Sequence, residues 1–384
     1  MKKLIYITNI PTPYRNYRFN EMTKCFAEQG IEVEVLYMNA SEPDRNWTID
    51  HDDMQHNYHV FSRNKVIYRM GMWMHFSPKL QWYLLTKSYD IAVLGGLASP
   101  AHFIASVLLK RKSLRILSVE SNLSSIGNKG TIATKVKSLL MRRFDFFQVT
   151  GVRAIDFIGH YVPELKPQNI VTLPNVINEP LFHEADPKDL DSKLSDLISK
   201  QKAAGNKTIL IPARLIDEKG LLPFLSAMKA SDKLAVFIAG DGKLKETLDN
   251  LIKRNNLNVF MLGGVTPATV AAMMKTVDFL ALPSKSDPSP LSVIEAISVG
   301  LPLLISKNVG NYEDVLRESE NGWGFEFDNK DETRAALIKA AHLNADLHQN
   351  MRIKARELFT QNFSTQKVLN RYLDELKRLA THSP

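Results

Sequence analysis

Phe279-Leu-Ala-Leu-Pro-Ser-Lys-Ser-Asp287-Pro-Ser-Pro290-Leu-Ser-Val-Ile-Glu295-Ala-Ile-Ser-Val-Gly300-Leu-Pro302 holds an apolar strand, a polar loop and an apolar helix in succession. Four apolar residues without polar alternation suit a strand covered on both faces, as in a parallel sheet. Pro290 marks the helix start, where its missing N–H costs little. Asp287 sits in the loop and Glu295 about a turn inside the helix. Two acids placed in this way can meet one ligand from two sides, and carboxylates accept well from sugar hydroxyls. The first-turn N–H groups of Leu291 and Ser292 lack helical partners and are free for phosphate oxygens.

The same alternation runs outward in both directions. Toward the N-terminus the apolar runs are 4–8, 33–37, 58–61, 91–94, 114–119, 144–150 and 170–173. In the second half they are 208–212, 235–239, 259–262, 303–305 and 324–327, besides 279–282. Helical patterns at 19–29, 134–143, 222–229, 244–254 and 269–275 separate them. This order predicts an α/β chain with two doubly wound parallel-sheet domains. The expected domains are 1–180 and 181–362, joined by the polar stretch 178–201. Residues 363–384 contain an amphipathic helix with Val368, Leu369, Tyr372, Leu373 and Leu376 on one stripe, expected to pack back on the first domain.

Length and composition agree with that plan. A chain of 384 residues with 44% hydrophobic and 23% charged residues has room for two cores and excludes general disorder. A single cysteine, Cys25, excludes an internal disulfide and any cluster of thiolates around zinc, and fits a reducing compartment. The apolar run after Lys2-Lys3 is short for a signal peptide. Ile91 to Leu109 is uncharged and about long enough to cross a bilayer, yet Gly95-Gly96, Pro100 and His102 interrupt it. A strand, loop and helix are expected there instead.

Charge is uneven. Residues 1–180 hold 22 Lys and Arg against 15 Asp and Glu, and residues 181–384 hold 27 against 26. Lys110 to Arg143 carries Lys110, Arg111, Lys112, Arg115, Lys129, Lys135, Lys137, Arg142 and Arg143 against Glu120 alone. Such a field draws anionic lipid, nucleic acid or phosphorylated substrates. That segment has no aromatic residue for base stacking, which argues against nucleic acid. Met70-Gly-Met-Trp-Met-His-Phe76 and Leu80-Gln-Trp-Tyr-Leu-Leu85 suit either core packing or a membrane-facing surface.

In open α/β sheets, ligands bind beyond the carboxyl ends of the strands. Three further loops of the second half therefore matter. Pro212-Ala-Arg-Leu-Ile-Asp-Glu-Lys-Gly220 brings Arg214 and Lys219 to a strand end before a helix, a setting for a diphosphate. Ala239-Gly-Asp-Gly-Lys243 offers Gly240 and Gly242 for close backbone approach. Leu262-Gly263-Gly-Val265-Thr266 offers backbone groups to a flat base edge. Asp189-Leu-Asp191 has the spacing of a metal-binding pair but lies in the polar linker. No metal site is expected. Glu120 follows the strand 114–119 and is read as a contact to acceptor or donor sugar, or else as an ion pair within the basic segment.

Together these stretches carry a resemblance. Arg-x-x-x-x-Lys-Gly, Gly-Asp-Gly, Leu-Gly-x-Val and Ser-x-x-Asp-x7-Glu-Ala-x-x-x-Gly-x-Pro, in that order, resemble the C-terminal half of retaining glycosyltransferases of family four, of bacterial polysaccharide type. Asn321-Gly-Trp-Gly-Phe-Glu-Phe327 and Phe363-Ser-Thr-Gln-Lys-Val368 are similar to its tail. Thr8-Asn-Ile-Pro-Thr-Pro-Tyr-Arg15 resembles its first acceptor-side loop, and Leu173-Pro-Asn-Val-Ile-Asn178 its domain link. The resemblance implies a GT-B fold, two Rossmann-like domains facing a central cleft. It implies a metal-independent hexosyltransferase that uses a UDP- or GDP-linked sugar as co-substrate, with no cofactor. Arg214 and Lys219 would hold the diphosphate, Glu295 the ribose hydroxyls and Asp287 the transferred sugar. Gly240, Gly242, Gly263, Val265, Leu291 and Ser292 would line the nucleotide. The acceptor would be a glycan or lipid-linked intermediate, and the expected place is the cytoplasm, peripheral on the inner face of the plasma membrane. The chain departs from the family in having Asp287 for the usual Glu, Ser289-Pro290 for Phe-Gly, and Glu120 for a His. The alternatives are a non-catalytic homologue, given these departures, or a basic protein that binds nucleic acid or another anionic ligand.

Overall fold

The computed structural model describes residues 2–43, 52–61, 66–69, 72–123 and 131–381. Lys129 and the Met70-Gly71 pair lie outside the described residues. The chain divides into two compact units, Met1–Ile177 together with Thr365–Pro384, and Asn178–Ser364.

The first unit contains strands β1 (Lys2–Thr8), β2 (Ile31–Tyr37), β3 (Asn57–Val60), β4 (Ile67–Arg69), β5 (Met72–Met74), β6 (Ile91–Leu94), β7 (Leu114–Val119), β8 (Phe146–Val149) and β9 (Ile170–Thr172). Seven of them form one parallel sheet in the order β3-β2-β1-β6-β7-β8-β9. Leu4 sits between Val33 and Ile91 in register. Alternate residues of β1 enter two different cores. Ile5 and Ile7 pack with helices Pro78–Thr86, Pro100–Leu108 and Arg153–Tyr161, whereas Leu4 and Tyr6 pack with helices Pro13–Ala27 and Thr365–Thr381. The period of two along a strand produces this division. Ile91–Leu109 thus splits into a strand and a helix, and among the described residues no helix is long and apolar enough to cross a membrane.

The last helix belongs to the first unit through its stripe. Val368, Leu369, Tyr372, Leu373, Leu376 and Leu379 are all buried there. The Tyr372 hydroxyl donates to Gln148 Oε1 at 2.7 Å, and Gln148 Nε2 donates to Ser118 Oγ at 2.9 Å. Buried polar groups satisfied in this way fix one docking position.

The second unit contains β10 (Lys207–Pro212), β11 (Leu234–Ala239), β12 (Val259–Gly263), β13 (Phe279–Leu282), β14 (Leu303–Ser306) and β15 (Gly322–Phe325), all parallel in the order β12-β11-β10-β13-β14-β15. Every residue of β11 and β13 is buried, as expected of strands covered on both faces. The chain leaves β10 toward β11 and β12, then returns to β13 on β10's other side. The switch point, where successive loops diverge and leave room for a ligand, therefore lies between β10 and β13. In the first unit it lies between β1 and β6.

Two strands, β4 and β5, are absent from the sequence reading. The Met- and aromatic-rich stretch that begins at Ile67 forms the antiparallel hairpin β4–β5, with Tyr68 paired to Trp73. Its strands are too short for a period-two signal to show.

Candidate active site

The loops that follow β10 and β13 flank the second unit's switch point, and each delivers a charged side chain to it. After β10 the chain makes a 3-10 turn at Asp217–Lys219 and enters helix Leu221–Ser226 through Gly220. Gly220 has φ +63°, and a Cβ there would lie 1.9 Å from the Pro283 carbonyl oxygen. Only glycine allows the two loops to meet at that point. Lys285 and Ser286 N–H both donate to the Glu218 carbonyl, at 2.9 and 3.3 Å. The result is an ion pair across the switch point, with Lys219 Nζ donating to Asp287 Oδ2 at 2.5 Å. Their side chains are only 18% and 14% exposed, so water screens the pair weakly.

The resemblance assigns Lys219 to a diphosphate and Asp287 to a sugar; the structure brings the two side chains together as a pair. The helix after Gly220 is short, six residues.

Arg214 stands exposed just beyond β10, and no partner of its side chain is seen among the described residues. Its loop is clamped from β11's side. Leu215 N–H donates to Asp241 O at 2.9 Å, and Leu244 N–H to Leu215 O at 3.0 Å. A Cβ on Gly240 would lie 2.1 Å from Ala213 O, and one on Gly242 2.5 Å from Leu215 O. The clamp extends to β12, where Gly240 N–H donates to Gly263 O at 2.7 Å and Gly264 N–H to Asp241 Oδ2 at 3.0 Å. Gly240, Gly242 and Gly263 thus hold three strand-end loops together, a packing role beside the expected contact with a nucleotide. Val265 is half-buried in the short link to helix Pro267–Thr276, which Thr266 caps.

Pro290 is the N-cap of helix Leu291–Ser298, with Leu291 and Ser292 half-buried in its first turn. Glu295, on the same helix, is partly exposed along its length, but its carboxyl lies in protein without a hydrogen-bond partner among the described residues. Burial pushes that carboxyl up to about 7.

Sequence reasoning passed over the loop after β14, which braces the whole arrangement. Gly310 N–H donates to Asp287 O at 2.8 Å, and Asn308 Nδ2 to Lys285 O at 3.1 Å. Buried Asn311 donates to Pro290 O at 3.3 Å. The signal was Gly310-Asn311 just beyond a strand end. Asp189 and Asp191, in the linker, are spent as caps: Asp189 accepts from Asp186 N–H at 3.2 Å and Asp191 from Lys193 N–H at 3.0 Å.

In the first unit, Glu120 follows β7. Among the described residues its partner is Arg15, outside the basic segment: Arg15 Nη2 donates to its Oε2 at 3.4 Å, and Arg15 Nη1 donates to Thr8 Oγ1 at 2.9 Å. Burial works against the Arg15 charge, but Tyr14 and Glu120 hold its pKa above the ordinary value. His102 is fully buried and shares a 2.8 Å hydrogen bond with Ser99 Oγ. Burial pushes it down to about 3, so it is neutral at ordinary pH. The buried His75–Glu42 pair at 2.9 Å was not foreseen, since nothing in the spacing of residues 33 positions apart signals it.

Residues 194–358 match the family described as Glycosyl transferases group 1. The second unit therefore carries a glycosyltransferase group 1 domain, and the chain has a GT-B type of α/β fold with two Rossmann-like parallel-sheet domains. An uncharacterized glycosyltransferase of Haemophilus influenzae is 23% identical over 97% of this chain and 99% of its own. The alpha-monoglucosyldiacylglycerol synthase of Streptococcus pneumoniae is 28% identical, over 45% of this chain and 40% of that one. Among solved structures, Anabaena Alr3699/HepE in complex with UDP and glucose superposes with TM-score 0.70 at 16% identity, covering 98% of this chain and 100% of that chain.

Proposed function

We propose that this chain is a metal-independent, retaining glycosyltransferase. It moves a hexose from a UDP- or GDP-linked donor to a hydroxyl of a glycan or lipid-linked acceptor at the inner face of the plasma membrane. The bond from the anomeric carbon to the diphosphate breaks, a bond from that carbon to the acceptor oxygen forms, and the acceptor proton and the nucleoside diphosphate leave. The observation that carries the reading is the Lys219–Asp287 pair across the switch point of a glycosyltransferase group 1 domain.

Donor binding exchanges that pair for two charge-assisted contacts. Asp287 turns to the hydroxyls of the sugar, and Lys219 is released to the diphosphate beside Arg214. Negative charge grows on the terminal phosphate as the sugar bond breaks. Cations already in place stabilise that charge without reorganisation. Arg forks onto two phosphate oxygens, and Lys serves as a point charge. Leu291 and Ser292 N–H add donors, Glu295 takes the ribose hydroxyls, and the loops of Gly240, Gly242, Gly263 and Val265 border the base. Glu120, oriented by Arg15, meets the acceptor.

Thermal shift against UDP, GDP and their sugars tests donor choice, since a ligand at 100 times its Kd adds about 2.7 kcal/mol. Proton NMR of the product reads the anomeric configuration. Activity is expected to survive excess chelator. Inactivation by chelator with rescue by magnesium or manganese overturns the metal-independent mechanism. Donor binding with neither transfer nor donor hydrolysis identifies a non-catalytic homologue.

A further inference from the structure

Three helices on one face of the first unit, Pro78–Thr86, Pro100–Leu108 and Thr131–Met141, pack side by side. The first two bury an inner stripe, Leu80, Tyr83 and Leu84 on one and Ala101, His102 and Ala105 on the other, the third buries Met141 at its end, and all three carry apolar side chains outward. Trp82 and Leu85 stand out from the first, at 70% and 56% exposure. Phe103 and Val107 stand out from the second. Ile132, Val136 and Leu139 share the third helix's outer face at spacings of four and three, with Ile132 79% exposed. Scattered exposed apolar residues need no explanation, but a run of them across adjacent helices marks a contact surface.

The charges on this face say what it contacts. None of the three helices contains an acid. Exposed Lys79, Lys87, Arg111, Lys112, Lys135 and Arg142 lie on the helices or just beyond their ends. From Phe76 to Arg143 the only acids are Asp90 and Glu120. Asp90 accepts from Lys3 N–H, Glu120 pairs with Arg15, and Arg142 is itself paired with Glu164, which leaves Lys79, Lys87, Arg111, Lys112 and Lys135 as the cations this face presents. A second copy of this face would oppose like charges and be repelled. Nucleic acid would leave the outward Ile132, Val136 and Leu139 without apolar partners. An anionic bilayer satisfies both features, taking apolar side chains below its headgroups and cations among them.

We propose that this face docks on the surface of an anionic membrane. The proposal deepens the functional reading and rests on it only for the purpose served, bringing the enzyme to a membrane-borne acceptor. The full chain is sedimented with vesicles of phosphatidylcholine alone or mixed with phosphatidylglycerol, at low and high salt. Binding to the mixed vesicles at low salt, release at high salt and a blue shift of tryptophan emission are expected. Trp82→Ser with Leu139→Ser, and separately Arg111→Glu with Lys112→Glu, each lower binding on the order of tenfold. All four side chains are exposed, and thermal stabilisation by UDP or GDP is expected unchanged. Equal binding to both vesicle types, or variants that bind like the parent, overturn the proposal. So does a parent that self-associates in solution through this face, with the apolar variant monomeric. Vesicle binding that holds while no nucleotide stabilises the protein supports docking and overturns the catalytic reading alone.

Discussion

The two units share a sheet plan but brace their switch points with different proportions of backbone and side-chain contact. In the second, loops after adjacent strands are fastened by backbone to backbone, through Leu215 to Asp241, Lys285 to Glu218 and Gly310 to Asp287. Glycines permit each close approach, and the Lys219–Asp287 ion pair is suspended across the switch point, with the exposed Lys243–Asp217 pair beside it. In the first, backbone bonds such as Asn39 N–H to Asn9 O and Ala101 N–H to His75 O are joined by side-chain contacts: Arg15 reaches Thr8 and Glu120, and His102 reaches Ser99. Buried polar atoms without a hydrogen-bond partner among the described residues occur at both, Asn9 Oδ1, Thr12 Oγ1 and Arg15 Nε in the first and Ser284 Oγ and Asn311 Oδ1 in the second. A buried polar atom left without a partner costs about 1–3 kcal/mol, which an ordered water or a ligand hydroxyl offsets. The difference is one of degree: the second site relies more on backbone approach that glycines permit, and the first adds side-chain contacts to its backbone bonds.

The largest effect is expected at the suspended pair. Lys219→Ala removes a cation that meets charge growing in the transition state, and is expected to slow transfer by about 10²–10³. Arg214→Ala follows in the same direction. Asp287→Asn is expected to lower kcat more than it weakens binding of the free nucleotide, because its partner is the sugar. Single-turnover rates and nucleotide titrations separate these effects. Wild-type turnover in Lys219→Ala breaks the comparison by placing the chemistry elsewhere.

Next come the glycines, where the two constructions are set directly against each other. A methyl on Gly310 would lie 1.8 Å from Pro288 O, and one on Gly220 1.9 Å from Pro283 O. On Gly95, beside the first unit's switch point, it would lie 2.8 Å from Ile7 O. Gly310→Ala and Gly220→Ala are expected to cost about 1–3 kcal/mol of stability and to lower nucleotide affinity. Gly95→Ala is expected to cost less and to leave nucleotide affinity unchanged. Equal losses in denaturant melts of all three would show that the first unit depends on backbone approach as strongly as the second.

Legibility in the sequence follows the same division. Strands β6 and β13 coincide with their apolar runs because a strand covered on both faces has no polar positions to blur it; β7 coincides with its run despite Arg115 and Ser118. Glycine-bearing strand ends announced the second site, since close backbone approach restricts residue type locally. The Lys219–Asp287 pair itself was invisible: the two residues are 68 positions apart, and each read well as a separate ligand contact. Asn311 and the His75–Glu42 pair were missed for a related reason. Side-chain contacts between distant segments obey no spacing rule, so a site made from them leaves little trace in one sequence. Helix ends such as that of Leu221–Ser226 shifted by a few residues, where packing rather than propensity decides.

Glu120 tests the side-chain site with a smaller effect. Its pair with Arg15 is partly exposed, so Glu120→Gln is expected to cost no more than about 1 kcal/mol of stability. If Glu120 orients the acceptor, kcat/KM for the acceptor falls by roughly the 1.5–3 kcal/mol of a hydrogen bond to a charged group, while donor affinity holds. A fall in donor affinity instead would place Glu120 among the donor contacts. Unchanged kinetics would reduce it to a partner of Arg15.

The smallest effect, a few-fold, is expected at Glu295, and it carries a sign. Burial raises this carboxyl from its ordinary 4.5 to about 7. Between those values the folded chain holds a proton that the unfolded chain has lost. The stability this group contributes is therefore present at acid pH and fades as pH rises through that window. Glu295→Gln keeps the shape and removes the titration, so its Tm relative to the parent should climb as pH rises toward about 8. Nucleotide affinity should move the other way. Ribose hydroxyls donate, and they bind an ionised carboxylate more strongly than a protonated one. The parent's affinity for UDP or GDP is thus expected to rise several-fold as pH passes about 7, and the glutamine variant to bind weakly with a flat profile. Calorimetric titration at several pH values, beside thermal melts of both proteins, reads the two opposed slopes. Melts that show the stability slope with nucleotide affinity flat in both proteins would leave Glu295 a buried acid of the helix, with the ribose held by another group.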